Sequence, residues 1–491
     1  MPQQPHHIWQ ERLYARLFQQ AYPLLVFDDG ILPAASLWFS MREWVNIFRQ
    51  HNLSAGSRIL VALPPSRSFV AVLLAGLWER CSLALCPPSV NPLEAASLLD
   101  VSAIITANDA ECTLSPHSAA QAPTPDVRLL LASSGTTSEP RWFALSDTNI
   151  FTVLDSHLPE LGLQSSSQAH GEGVRVAGVL ENLVQNYPAA RVLSVLPLHH
   201  AFGLLIDFLP AFFAGAELVR DTKGGRDTEA LLALAEAHSI THCSMVPLLV
   251  RRLAESERGR IFLCGLQGGV IGGAPVQEDI VPILRQTKLR VGYGQTEASP
   301  GITLGAPGVW AANYLGKTLP KPLGSDVRIN ADSVLEFRGA NACIGAWTRA
   351  RGFEALPPER WHSTGDIVQT SNDAALEGYF FVGRSDDNFK LANGRFIPAV
   401  HWEASIQAAF EEVRSCMIFT QNGETCSLVL GLAHVSEQSK EAWKRDCSLC
   451  CGVPVDFFDR ILLLPFSDWL LTPKGSTDRR AMRLLAEKFV P

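Results

Sequence analysis

The sequence predicts an α/β protein of more than one domain. Three observations carry this: length, alternating apolar runs of two kinds, and a composition rich enough to build a large core. At 491 residues the chain exceeds what one hydrophobic core usually serves. Hydrophobic residues make up 47% and charged residues 18%, the balance of an ordered globular protein rather than a disordered one.

Taken along the chain, short apolar runs read as buried strands: RILVAL from Arg58, AIIT from Ala103, RLLLAS from Arg128, VLSVLPL from Val192 and IFLCGL from Ile261. Between them, FVAVLLAGLWE from Phe69 and TEALLALAEAH from Thr228 read as helices, giving the rhythm of βα units on buried parallel strands. The apolar stretch from Phe69 stops well short of the roughly 20 residues of a membrane span, so it reads as a buried helix. The segment from Leu161 to Gly173 breaks the pattern with small and polar residues and is expected to be an exposed, mobile loop. No internal repeat is evident.

Charge and cysteine usage narrow the function classes. A net charge of −8 gives no global electrostatic case for nucleic acid or an anionic membrane. Eleven irregularly spaced cysteines and the polar start MPQQPHHIWQ lead us to expect reduced thiols and a cytoplasmic location. Cys447, Cys450 and Cys451 are expected to mark a buried helix face rather than a zinc site, since no second ligand pair accompanies them.

The chemistry starts where the strand RLLLA runs into Ser133, Ser134, Gly135, Thr136 and Thr137, followed by Pro140 and Arg141. A glycine lets backbone amides approach a phosphate, and hydroxyls with a guanidinium can donate to its oxygens. The Gly-Lys-Ser/Thr ending of a Walker loop is missing. Further motifs follow in order: LPLHHAFG from Leu196, GGAP from Gly272, GYGQTE from Gly292, STGD from Ser363, GRSDDNFK from Gly383 and LTPKGSTDRR from Leu471.

Together these motifs resemble the adenylate-forming superfamily of acyl- and aryl-CoA synthetases, peptide-synthetase adenylation domains and luciferases. The early segment LSAGSRILVALPPSRSFVAVLLAGLWERCSLALCPPSVNP is similar to that family's amino-terminal subdomain, so the resemblance runs through nearly the whole chain. It implies a large multi-subdomain N-terminal domain of mixed sheets and helices, residues 1–384. A small mobile α+β cap, residues 385–491, would follow, with Asp386 at the hinge.

The resemblance further implies a ligase that uses ATP and Mg²⁺ to turn a fatty or aromatic acid into an acyl-adenylate, then passes the acyl group to CoA or a carrier-protein phosphopantetheine. Ser134, Gly135, Thr136, Thr137 and Arg141 would hold the phosphates. Gly272, Gly273 and Ala274 would lie along the adenine, with Tyr293 stacked on it and Gly294 and Gln295 beside it. Thr296 would contact the phosphate next to the reacting carboxylate, Glu297 would hold Mg²⁺, and Asp366 with Arg384 would bind the ribose. His200, Val246 and Gly292 would line the acid pocket, together with the stretch Ser244 to Pro247. The histidine-bearing PLHHAFG is similar to the acyl/aryl-CoA branch; amino-acid-activating members carry an aspartate there.

The departures from the family pattern are specific. Ser138, Arg141 and Trp142 stand where the family's phosphate loop carries Gly, Lys and Gly. Arginine keeps the charge, while Ser138 and Trp142 are expected to stiffen or reshape the loop. In LTPKGSTDRR, Ser476 occupies the place of the adenylation lysine and Lys474 lies two residues earlier. Either Lys474 replaces that lysine from a shifted backbone, or adenylation is weakened or lost. Transfer to an amine or alcohol instead of a thiol remains an alternative.

Overall fold

The computed structural model describes residues 8–18, 23–108, 111–117, 124, 126–133, 141–157, 159–163, 190–319, 325–357, 359–371, 373–434, 438–472 and 477–489. An eight-stranded sheet holds the parallel strands Leu129–Ala132, Ser82–Leu85, Arg58–Ala62 and Ala103–Asn108 side by side at its centre. Antiparallel partners flank them: Glu111–Pro116 on one side and Trp142–Leu145, Gly345–Thr348 and Gly352–Ala355 on the other.

The central strands read as unbroken apolar runs because both faces are covered. One cover is the helix Arg67–Trp78, whose residues from Phe69 to Leu77 are all buried. Ser66 starts it by accepting a hydrogen bond from the Phe69 amide at 3.2 Å. Gly76 lets it lie on the sheet, since a Cβ there would fall 2.5 Å from Leu83.

A second sheet pairs Gly30–Pro33, Pro23–Phe27, Glu217–Arg220 and Arg191–Ser194. Parallel bridges from Val192 to His242, His242 to Gly268 and Met245 to Ile271 carry it on to the pair Val270–Ile271 and Arg290–Tyr293. From there the sheet turns antiparallel through Thr303–Leu304, Tyr314–Thr318, Tyr379–Arg384, His362–Thr370, Val334–Arg338 and Asp326–Ile329. The C-terminal part has its own core: the strands Val413–Phe419, Cys426–Leu432 and Phe458–Pro465 pack with the helices Ala399–Ala409 and Lys440–Cys450 around Ile406, Leu430 and Trp443.

Three sequence expectations need correction. IFLCGL is not a strand; it lies in the helix Glu257–Gly265, which Ser256 caps by accepting from the Gly259 amide at 3.0 Å. A six-residue apolar run does not distinguish the two periods, and the capping serine outweighed strand propensity. Trp142 does not reshape a loop: it is fully buried within the strand Trp142–Leu145, opposite Ala132 and Trp347. Leu161, at the head of the expected exposed loop, is buried; residues 164–173 of that segment lie outside the described residues. Cys447 is buried on a helix face, with Cys450 and Cys451 half-buried beside it.

One ion pair anchors the large sheet to its surroundings. Arg128 is wholly buried; its Nε and Nη2 donate to the Asp147 carboxylate at 2.8 and 3.0 Å, and its Nη1 donates to the Cys81 carbonyl at 3.0 Å. The Trp9 indole donates to the same carboxylate at 2.6 Å. Removing one partner strands a buried charge, so Asp147→Ala should destabilise the fold by about 3–5 kcal/mol. Denaturant titration should show the loss as a lowered midpoint; a shift under about 1 kcal/mol would mean water reaches the guanidinium.

Candidate active site

Ligands of α/β sheets gather at the carboxyl ends of parallel strands, where backbone amides and loops converge. Here the strands Val270–Ile271 and Arg290–Tyr293 run parallel and end together. The first releases Gly272, Gly273 and Ala274; the second continues into Gly294, Gln295, Thr296 and Glu297. The two loops touch so closely that a Cβ on Gly272 would lie 2.6 Å from the Gly292 carbonyl, and one on Gly294 would lie 1.3 Å from the Pro300 carbonyl. Only glycine fits at either place.

Across from these loops stands Asp366, in the strand His362–Thr370 and 6% exposed. The Tyr293 hydroxyl donates to its Oδ2 at 2.6 Å, and Gln295 Nε2 donates to the same oxygen at 3.3 Å and to the Thr364 carbonyl at 2.6 Å. Arg384 faces Asp366 across the sheet register; its Nη1 donates to Asp366 Oδ1 and to the Thr364 carbonyl, both at 2.8 Å. Gly365, at a φ of +71°, leaves room for that guanidinium, since a Cβ would stand 2.8 Å from Arg384 Nη2. Burial, then the neighbouring Asp366 charge, hold the Tyr293 phenol well above its ordinary range, so it stays a donor.

Glu297 lies half-buried on the short turn Thr296–Ala298. Burial pushes its carboxyl up, against the pull of the Arg141 and Arg384 guanidinium groups. Among the described residues no three His, Cys, Asp or Glu side chains gather as a metal cage. One carboxylate beside the Thr296 hydroxyl is instead the donor set that suits Mg²⁺, which takes one or two carboxylates and completes its shell with phosphate and water.

Arg141 is exposed and closes the base of the preceding loop: the Ser133 amide donates to its carbonyl at 2.7 Å, and its own amide donates to Ser133 Oγ at 3.3 Å. Its guanidinium carbon lies 5.1 Å from the Phe143 ring centroid. Ser134, Gly135, Thr136 and Thr137 lie outside the described residues, as do Lys474 and Ser476. Arg384 also reaches Asp386 at 3.4 Å, on the turn Ser385–Asp387.

The His199 and His200 rings lie 4.5 Å apart, tilted by 52°, on the turn before a π-helical segment, Phe202–Phe208. Burial and Arg220 lower the His199 ring to about 4, so it is neutral. The Phe202 ring lies 3.5 Å from the place of a Gly272 Cβ, and Val246 lies 3.6 Å from that of Gly273. Phe202, Val246, Gly272 and Gly273 thus form one crevice wall.

Sequence reasoning missed several supports. Thr364 donates to the Leu335 carbonyl at 2.7 Å and accepts from the Asp366 amide at 3.0 Å, fixing the carboxylate; its place inside STGD was the available signal. Asn341 donates to the Gly301 carbonyl at 2.7 Å, and Ser299, at a φ of 58°, donates to the Asn341 carbonyl at 2.8 Å. These hold the segment after Glu297, and no local pattern announced them.

Residues 89–336, just over half the chain, match the family model for the AMP-binding enzyme, and the chain belongs to that family. It is similar to feruloyl-CoA synthase of an Amycolatopsis species, 26% identical over 270 residues, which cover 52% of this chain and 49% of that one. It is also similar to 4-coumarate–CoA ligase 5 of Oryza sativa subsp. japonica, 24% identical over 74% of this chain and 67% of the other. Against the first of these relatives the match thus spans about half of either chain. The fold matches the solved structure of wild-type E. coli MenE with a bound phenylether-linked analogue of OSB-AMS, with a TM-score of 0.69, 20% identity and 98% of both chains covered. No helix among the described residues is long and apolar enough to cross a membrane.

The Glu297 shift has a signed consequence. Its folded pKa stands above the ordinary 4.5, so the folded chain holds this proton to higher pH than the unfolded one. Stability from this group therefore falls as pH rises from about 4.5 through the raised value. Thermal melts across that window should show Glu297→Gln gaining on wild type as pH rises. A difference that stays constant with pH would place the carboxylate in a water-like setting.

Proposed function

We propose that the chain activates a carboxylic acid with ATP and Mg²⁺ to an acyl-adenylate and then transfers the acyl group to a thiol, CoA or carrier-protein phosphopantetheine. The observation that carries this is the Tyr293–Asp366–Arg384 network set against Gly272–Gly273 at the ends of two parallel strands. An aromatic face, an accepting carboxylate and an open glycine strip are what an adenosine requires.

In this reading the adenine lies along Gly272, Gly273 and Ala274 against Tyr293, and Asp366 accepts from the ribose diol with Arg384 assisting. The substrate carboxylate attacks the α-phosphorus and the bond to the bridging oxygen breaks, so pyrophosphate leaves. Two anions meet in that step, and Thr296, Arg141 and the hydroxyls of Ser134, Thr136 and Thr137 are placed in sequence to offset their repulsion. Mg²⁺, when bound through Glu297, neutralises phosphate charge. The thiol then attacks the acyl carbon and AMP leaves. Residues 385–491 act as a cap that turns about Asp386 between the two steps, so that one site serves both.

Pyrophosphate release from ATP with a panel of fatty and aromatic acids, each with and without CoA, tests this reading. Acid-dependent release, with thioester formed only when CoA is present, is expected. Acid-independent hydrolysis or no release would sink it.

Ser476 favours a second reading, a homologue with weakened adenylation. A preorganised donor to a developing charge is worth about 10²–10³ in rate, and a short neutral hydroxyl cannot supply that field. If Lys474 serves instead, Lys474→Ala should slow acyl-adenylate formation by that order and leave transfer from supplied acyl-adenylate nearly unchanged. A silent Lys474→Ala, with Ser476→Lys raising adenylation about tenfold or more, would establish the weakened enzyme.

A further inference from the structure

Below the crevice wall formed by Phe202 and Gly272 lies a narrow cleft lined by Ile206, Asp207, His242, Ser244 and Gly269. Strand register places it near the site. Met245 pairs with Ile271, so Ser244 stands beside Val270, whose amide donates to Ser244 Oγ at 3.3 Å. Two residues along either strand, about 7 Å away, come Val246 and Gly272.

One acceptor in this cleft lacks a donor. Asp207, on the π-helical segment, is 3% exposed, and its Oδ2 has no hydrogen-bond partner among the described residues. His242, 6% exposed, lines the same cleft; burial lowers its ring to about 4, against a hydrogen bond to the Gly162 backbone, so the ring is neutral near pH 7.

The surroundings do not fill the deficit. Arg220 spends Nη1 on Ser194 and on the Leu196 carbonyl, at 2.6–3.0 Å, and makes no ion pair with Asp207 within 4 Å. Burial raises the Asp207 carboxyl to about 6, while the Ser194 and Ser244 hydroxyls and the Arg220 charge pull it back. A buried acceptor left unpaired costs about 1–3 kcal/mol, so a fold that keeps one at this cleft is poised for a donor from outside.

We propose that Asp207 selects the acid: the substrate carries a hydroxyl or amino group at the end remote from its carboxylate, and that group donates to Asp207 Oδ2 in this cleft. This rests on the adenylation reading above and adds to it the substrate class. A site built to bond such a group rejects the analogue lacking it far more strongly than an apolar pocket rejects one of different size.

Acids matched in length and bearing a terminal hydroxyl, amino or methyl group are compared by kcat/KM for pyrophosphate release. Wild type is expected to favour the hydroxyl or amino acid over the methyl acid by about tenfold or more. Asp207→Leu keeps the branching at Cγ and removes the acceptor, so it should bring the three acids to within about twofold, chiefly through KM for the donor-bearing acid. A purely structural role would instead lower activity towards all three alike. Should the leucine variant not fold, Asp207→Asn, which keeps shape and loses charge, should still narrow the preference. Equal use of the three acids by folded wild type, or an unchanged preference in the variants, overturns the proposal while leaving adenylation intact. Absence of acid-dependent release with every acid overturns the adenylation reading and this one with it.

Discussion

The arrangement of the site depends on how a single buried carboxylate, Asp366, is compensated. A carboxylate removed from water survives only if its oxygens are met by donors, and a lone one would neutralise or force the chain open. Asp366 meets three: Tyr293, Gln295 and Arg384. They come from two places: Tyr293 and Gln295 from the end of a parallel strand and the loop after it, Arg384 from the strand opposite. The charge therefore fixes how the GYGQTE loop stands over the antiparallel part of the sheet. Thr364 holds the backbone beneath, through the Leu335 carbonyl and the Asp366 amide.

Compensation passes outward from there. Arg384, whose side chain is 42% exposed, divides itself between Asp366 and Asp386, the second residue beyond its strand. The next residue, Asp387, pairs at 3.0 Å with Arg479, which also meets both oxygens of the buried Glu403 at 2.8 and 2.9 Å. The turn Ser385–Asp387 is thus gripped from both sides, by the large sheet through Arg384 and by the C-terminal core through Arg479. Asp366 and Glu403, on either side of this turn, each keep a guanidinium of their own.

How much of this the sequence showed depended on the range of each interaction. The buried helix Arg67–Trp78 and the central strands were legible because burial on all sides writes a continuous apolar run. IFLCGL misled because a short run of that kind is compatible with both periods, and the deciding serine lay outside it. The motif residues Tyr293, Gln295, Asp366 and Arg384 were legible as a set only through their order along the chain; nothing local to STGD says that its aspartate meets a tyrosine 73 residues away. Asn341, Ser299 and Asp207 were not legible at all. Asn341 and Ser299 meet backbone carbonyls, and Asp207 meets the hydroxyls of Ser194 and Ser244 while one oxygen stays unpaired; neither leaves a sequence pattern.

Two buried aspartates therefore stand under the same constraint with opposite solutions. Asp366 is saturated, and two of its donors have other partners: Arg384 keeps Thr364 and Asp386, and Gln295 keeps Thr364. A ligand hydroxyl that takes the place of Gln295 at Asp366 Oδ2 thus leaves no donor stranded, which is what a reversible site requires. Asp207 is met by the Ser194 and Ser244 hydroxyls but keeps Oδ2 unpaired. It gains only by addition. A saturated carboxylate accommodates whatever brings hydroxyls to its rim, whereas an unsaturated one rewards a single donor in a single place; the first suits a cofactor common to many enzymes, the second a substrate particular to one.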